Sequence, residues 1–366
     1  MKIWLVVAVL AVSAPAFAQL GGIGRRVQQL QERKGQFDDL NITEADEITL
    51  GSDVSAKIRA RFGVTQDSAV HKYVALVGTM LSEQTTRPKL PWTFVVLDTD
   101  GVNAFAAPGG FIHITRGALA LIKSEAELAG VLGHEIAHIV QKHTVNALRN
   151  SKGVQIGTSE ASSNRGAFLG ALANRTYDMV LENSFDRGDE LDADKEGILL
   201  SQKAGYAGSG LSEFLTRLAE RNKGQAEKNG LFASHPETQE RIGKVKQLAG
   251  STPGAAVAAR YMAAIKYRPT DLTTVATVVE GSAGLTGGGN AQARPEEKKA
   301  EEKKKGFGLS NLTKAASAGK NEQQVAASGG ARGVGADRLA RGGDNPNPVK
   351  SVISPAEVAA FRKGIA

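Results

Sequence analysis

There is no cysteine anywhere in these 366 residues. That absence excludes disulfides, cysteine nucleophiles and thiolate metal sites together. A metal ion held by this chain has to be bound by histidine and carboxylate. Long apolar runs are also scarce. The only one opens the chain, where Lys2 precedes an apolar stretch over residues 3–12 and Ala16-Phe17-Ala18 supplies a small-x-small pattern. This reads as a secretory signal peptide over residues 1–18, cleaved after Ala18. The run is too short for a comfortable transmembrane helix, and no cysteine follows it that a lipid anchor would need. The expected location is therefore the periplasm of a bacterium. Internal repeats of helical-hairpin length are missing as well, so no repeat-type partner domain is visible.

A net charge is missing from most of the chain. The formal net charge is +7. Residues 291–366 carry 14 Lys and Arg against 8 Asp and Glu, a net +6, and Lys2 supplies the remaining charge. The main body is neutral, so the basic balance belongs to the tail and no nucleic-acid partner is expected. Contact with a membrane surface or the cell wall is expected, if anywhere, through that tail.

The body that is present, residues 19–267, reads as one globular domain. Helical spacing runs over 42–62 and 68–82. PWTFVVLD is rich in aromatic and β-branched residues and predicts a strand. GVNAFAAPGG is a turn-rich connection and FIHIT a second strand, which together suggest a hairpin or neighbouring strands. Ser124 with Glu127 predicts a capping box opening a helix over 125–148. Residues 150–174 read as a loop and a short helix. Further helices are expected over 186–203, 209–222 and 236–248. Residues 268–350 have the composition of a flexible, charged, low-complexity linker. Ser354, Pro355 and Glu357 mark a short helix within 351–366. His113, within the second strand, is expected to be exposed.

The stretch GVLGHEIAHIVQKHTV, residues 130–145, holds three of the six histidines. His134 and His138 are four apart and therefore share one helical face. Two imidazoles so placed can reach one zinc ion, and Glu135 then stands where it can take a proton from bound water. On a straight helix His143 falls among Leu128, Val131, Leu132, Ile136 and Ile139, away from the metal face. The three-histidine zinc pattern needs a glycine where Gln141 stands and a histidine where Thr144 stands. His143 is accordingly expected to pack or cap. The third ligand must come from elsewhere. In FDRGDELDADKEG, Glu190 and Asp194 share a face, the first suited to the metal and the second to the free nitrogen of a ligand histidine. Asp186, Asp189, Asp192 and Glu196 compete for those roles on spacing alone.

The stretches NAFAAPGGFIHITRGAL, ELAGVLGHEIAHIVQKH, DRGDELDADKEG and SHPETQERI together resemble the HtpX/CAAX-prenyl-protease family of zinc metallopeptidases, the gluzincins, in its soluble periplasmic BepA/LoiP-like branch. The resemblance covers residues 42–248. It implies an α+β, mainly α-helical, zincin-like domain with a small sheet or hairpin beside the HExxH helix, followed by a disordered tail. It implies one Zn2+ held by His134, His138 and Glu190, with Glu135 as catalytic acid/base and Asp194 supporting a ligand. The family commonly has Ser-Arg before the third-ligand glutamate, where this chain has Asp186-Arg187, which puts the local capping in question. The implied activity is endopeptidase cleavage of polypeptide substrates, unfolded or misassembled envelope proteins, near the outer-membrane assembly machinery. Substrate is expected to add as a strand beside Asn103, Ala104, Phe105 and Ala106. His235 either plugs the metal's open position, contacts substrate or only caps the following helix, and Arg241 lies on that helix. The alternative function is a chaperone-like protein with a latent site that binds unfolded chains more than it cleaves them.

Overall fold

A computed structural model describes residues 42–150, 165–182, 185–221, 238–250, 253–269 and 345–365. The expected signal peptide over residues 1–18, His235 and most of the expected linker lie outside these residues. None of the described helices is long and apolar enough to cross a membrane.

The chain opens with α1 (Glu44–Phe62) and α2 (Ser68–Ser82), whose starts follow from local chemistry. Thr43 and Asp46 close a reciprocal capping box on α1, and the Asp67 side chain accepts from Ala69 and Val70 at the head of α2. Both satisfy amide donors that the first helical turn leaves unpaired. Three strands follow, β1 (Thr93–Leu97), β2 (Ala104–Ala107) and β3 (Phe111–Thr115). The sheet order is β1-β3-β2: β3 runs antiparallel to β2, as the hairpin reading expects, and parallel to β1. The hairpin turns at Pro108–Gly110, where Gly109 (φ 73°) faces the α1 backbone so closely that a Cβ would lie 2.5 Å from the Ile48 Cα. Only glycine combines that torsion with that approach.

The sheet's side chains alternate between two cores, as strand geometry requires. Phe94, Val96, Ala104, Ala106, Ile112 and Ile114 face the larger one, shared with α2. Val95, Leu97, Phe105 and Ala107 face the smaller one, shared with α1. His113 also lies toward α1 and is fully buried, its Nε2 2.8 Å from the Ser55 hydroxyl. The expectation of an exposed His113 is therefore wrong: α1 covers this face of the sheet, a long-range packing that strand periodicity cannot report. Burial pushes the His113 imidazole down to about 3.

The remaining helices are α3 (Arg116–Leu121), α4 (Glu125–Val140), α5 (His143–Asn150), α6 (Arg165–Glu182), α7 (Arg187–Lys203), α8 (Gly210–Arg221), α9 (Thr238–Ala249), α10 (Ala258–Ala264) and α11 (Pro355–Lys363). Three differ from expectation. The capping box at Ser124 is half formed: its hydroxyl accepts from the Glu127 amide, but the Glu127 carboxylate accepts from the Lys123 amide and pairs with Arg217. The helix expected over 125–148 is broken in two, for reasons that bear on the site. α6 is 18 residues long rather than short, because Leu169, Leu172, Ala173 and Val180 bury an apolar stripe in the smaller core.

The C-terminal residues return to the body. The Asn345 carbonyl accepts from the Val64 amide at 2.7 Å and the Pro346 carbonyl from Arg59 at 2.8 Å. On α11, Phe361 meets the Tyr73 ring edge-on and lies under the Arg260 guanidinium, 4.0 Å from its centroid. Arg260 also pairs with Glu125, the first residue of α4, which is wholly buried and accepts from the hydroxyls of Tyr73 and Tyr206. Burial and the neighbouring Glu125 push both tyrosines up. Val358 and Ile365 join the larger core. These last residues are part of the fold.

Candidate metal centre

α4 and α7 build the site by crossing with almost no side chain between them. A Cβ on Gly133 would stand 2.8 Å from the Gly197 carbonyl oxygen, and a Cβ on Gly197 would stand 2.7 Å from the His134 amide nitrogen. Two glycines thus set the backbone approach that brings the α7 carboxylates to the α4 histidines. Gly197→Ala forces a shift of one of these backbones, of the kind that costs about 1–3 kcal/mol in a packed interior. The expected result is a lowered Tm and a weakened zinc affinity together. Unchanged values of both in thermal melts and zinc titrations would refute the role assigned to this crossing.

The crossing places His134, His138 and Glu190 in one buried group whose donor atoms all lie within 4.8 Å of one another. The His134 and His138 Nε2 atoms are 3.0 Å apart. Glu190 Oε1 is 3.4 Å from His138 Nε2, and Oε2 is 3.6 Å from His134 Nε2. Donors that each stand about 2.0–2.1 Å from a tetrahedral zinc are separated by about 3.3 Å. Two imidazoles and a carboxylate at these separations fit the ion. Glu135 follows His134 directly and is buried.

Two further side chains hold the group. Asp194 Oδ1 lies 3.0 Å from His134 Nδ1, on the opposite side of the ring from the cluster. Arg241 reaches in from α9, fully buried. Its Nε donates to Asp194 Oδ2 at 2.7 Å, one terminal nitrogen donates to Oδ1 at 2.6 Å, and the other stands 2.8 Å from Glu190 Oε2. Burial disfavours the ionised Asp194, but the Arg241 charge and the hydrogen bonds from His134 and Arg241 outweigh it and hold the carboxyl at about 2. Burial, with the Arg241 charge second, pushes His134 down to about 4. Burial works against the Arg241 charge too, yet Glu190 and Asp194 raise it. Asp186 settles the question left by the departure at residues 186–187: it caps α7, accepting from the Asp189 amide at 2.9 Å.

His143 is not where a straight helix puts it. α4 ends at Val140, and Lys142 takes a left-handed φ of 59°. A charge cluster holds that conformation. Arg87 donates to the Ile139 carbonyl at 3.1 Å and to Glu47 at 2.8 Å, and the Lys142 ammonium reaches Glu47 at 2.5 Å. Chain direction changes there, and His143 comes back to the site with its Nδ1 2.9 Å from His138 Nδ1. The expectation that it turns to the apolar side is wrong; the expectation that it packs is right, against a different neighbour. Burial lowers its affinity for a proton, while Asp189 opposes that effect.

Asn103 and Ala104–Ala106 form and lead into β2, which lies beside α4, and all four are buried. Asn103 is held by Thr115, whose hydroxyl accepts its amide at 3.0 Å. Sequence reasoning named Arg241 without its partners, and it missed Gly133, Gly197 and Phe185, whose ring stacks on His138 at 4.1 Å. The two glycines were legible only as small residues beside a motif.

Residues 68–249 match the model of Peptidase family M48. The chain is 27% identical over 223 residues to a putative beta-barrel assembly-enhancing protease of Vibrio cholerae serotype O1, covering 58% of this chain and 46% of that protein. It is 23% identical over 215 residues to the beta-barrel assembly-enhancing protease of Escherichia coli strain K12, covering 56% and 44%. It is 24% identical over 163 residues to metalloprotease LoiP of the same strain, covering 43% and 62%. The chain thus spans about half the length of the first two.

Proposed function

We infer, from a chain that belongs to peptidase family M48 through residues 68–249, that this protein is a zinc-dependent endopeptidase of the bacterial periplasm. The observation that carries the reading is the convergence of His134, His138 and Glu190, with donor separations suited to a tetrahedral ion. His134, His138 and Glu190 would hold the metal. When bound there, zinc supplies a Lewis acid that makes water a stronger nucleophile near neutral pH and polarises the scissile carbonyl. Glu135, next to the first ligand, accepts the proton that the attacking water gives up and delivers it to the leaving amine. Asp194 keeps the His134 proton on Nδ1, so that Nε2 presents its lone pair to the cluster. Arg241 neutralises Asp194 and stands 2.8 Å from Glu190, which offsets the cost of burying both carboxylates.

Peptide strands are read as adding beside β2, where backbone hydrogen bonding asks little of substrate sequence. The names of the Vibrio and E. coli relatives tie those proteins to β-barrel assembly, which supports misassembled envelope proteins as the substrate class. Chelation tests the core of the proposal. The purified protein is expected to hold one zinc per chain and to cleave casein. A chelator should abolish both, and one equivalent of zinc should restore them. Casein cleavage that survives complete metal removal would overturn the reading.

A further inference from the structure

We propose that His143 is a positioning residue that fixes the ring tautomer and orientation of His138; this deepens the metal-site reading and rests on it. His138 Nε2 faces the cluster, 3.0 Å from His134 Nε2 and 3.4 Å from Glu190 Oε1. A nitrogen that binds a metal presents a lone pair, so the single proton of a neutral imidazole must sit on the other nitrogen, Nδ1. That N–H needs an acceptor in a buried place. His143 Nδ1 stands 2.9 Å away, the rings meet edge to face at 78°, and His143 is itself buried.

The tautomer of His143 follows. To accept at Nδ1 it must carry its own proton on Nε2, and that edge faces the carboxylate of Asp189, 3.6 Å from Oδ1. The distance is too long for a direct hydrogen bond, but the negative charge favours a proton on that side. Phe185 stacks on one face of His138 at 26° and restricts the ring to a plane in which Nδ1 points at His143. The two metal-facing histidines are therefore supported differently. His134 gives its Nδ1 proton to a carboxylate, Asp194, and His138 gives its own to a neutral imidazole. What puts the imidazole there is the left-handed turn at Lys142, held by Glu47 and Arg87. A straight helix would carry His143 away, so this charge cluster, remote from the donor atoms, sets the second support.

The test compares full-length wild type, His143→Asn and His143→Leu. Asparagine keeps an acceptor near the Nδ1 position and leucine fills the space without one. Zinc affinity is measured by competition with a chromophoric chelator, and ring tautomers by long-range 1H–15N correlation of the histidines. The expectation is that His143→Leu weakens zinc binding about 10- to 100-fold and that His143→Asn recovers most of the loss. In wild type the His138 proton should sit on Nδ1. Wild-type affinity in His143→Leu overturns the proposal while leaving the metal site standing. A wild-type protein that binds no zinc overturns the site itself. Should the leucine variant fail to fold, the wild-type spectrum decides: His138 protonated at Nε2 with the metal bound overturns the assignment.

Discussion

Glu135→Gln is expected to keep its zinc and lose its peptidase activity. Glutamine has the shape of glutamate and the same two heavy-atom positions, but its amide cannot take a proton from water. Removing a positioned general base costs on the order of 10²- to 10⁴-fold in rate. The substitution is mild for the fold, since Glu135 is 1% exposed and a neutral side chain is cheaper to bury than a charged one. His134, His138 and Glu190 are untouched, so the metal content should remain at one ion per chain. The measurements are casein cleavage and metal analysis on the same preparations. Equal cleavage by variant and wild type would remove Glu135 from the mechanism. Loss of zinc together with activity would mean that Glu135 holds the site rather than acts in it.

Arg241→Ala is expected to be the most destabilising single change near the site. Arg241 is 4% exposed and pairs with two carboxylates that are equally buried, Asp194 at 0% and Glu190 at 3%. Removing the cation leaves their charges without compensation. Loss of one partner from a buried ion pair typically costs about 3–5 kcal/mol, which for a domain of this size is a fall in Tm on the order of 10 °C. Saturating zinc should recover part of it, because an ion that binds only the folded state stabilises that state and neutralises Glu190. Arg241→Lys should fall between, since lysine keeps the charge but cannot donate to Asp194 through two nitrogens at once. Thermal melts of the metal-free and zinc-loaded proteins distinguish these cases. A metal-free Arg241→Ala protein melting within about 2 °C of wild type would show that the clasp on Asp194 and Glu190 contributes little.

The outcome at residues 140–143 illustrates where sequence reading stops. Periodicity over 125–148 predicts one continuous helix, and nothing in the stretch itself forbids it: no proline or glycine stands at residues 140–143. The break is imposed by Glu47 and Arg87, which lie roughly ninety and fifty residues earlier in the chain. Arg87 takes the Ile139 carbonyl, and Glu47 takes Lys142. The same holds at His113, whose burial comes from α1 and not from its own strand. By contrast α2 spans the predicted residues 68–82, and α11 opens on the predicted capping box of Ser354 and Glu357. Those features depend on neighbours within a few residues.

The division follows from the range of the interactions. The sequence already puts His134 and His138 on one face, because residues four apart on a helix stand one turn apart. It put Glu190 and Asp194 on one face for the same reason, with Asp186, Asp189, Asp192 and Glu196 left in competition, and it marked the strands by their aromatic and β-branched residues. It also confined any metal to histidine and carboxylate by offering no thiol. Packing of the domain settles which carboxylate meets the histidines, because that depends on α7 crossing α4 at Gly133 and Gly197. It alone turned His143 back toward His138 and brought Arg241 between Asp194 and Glu190. These contacts join residues tens of positions apart, and their partners are chosen by packing of the whole domain, which no local period encodes.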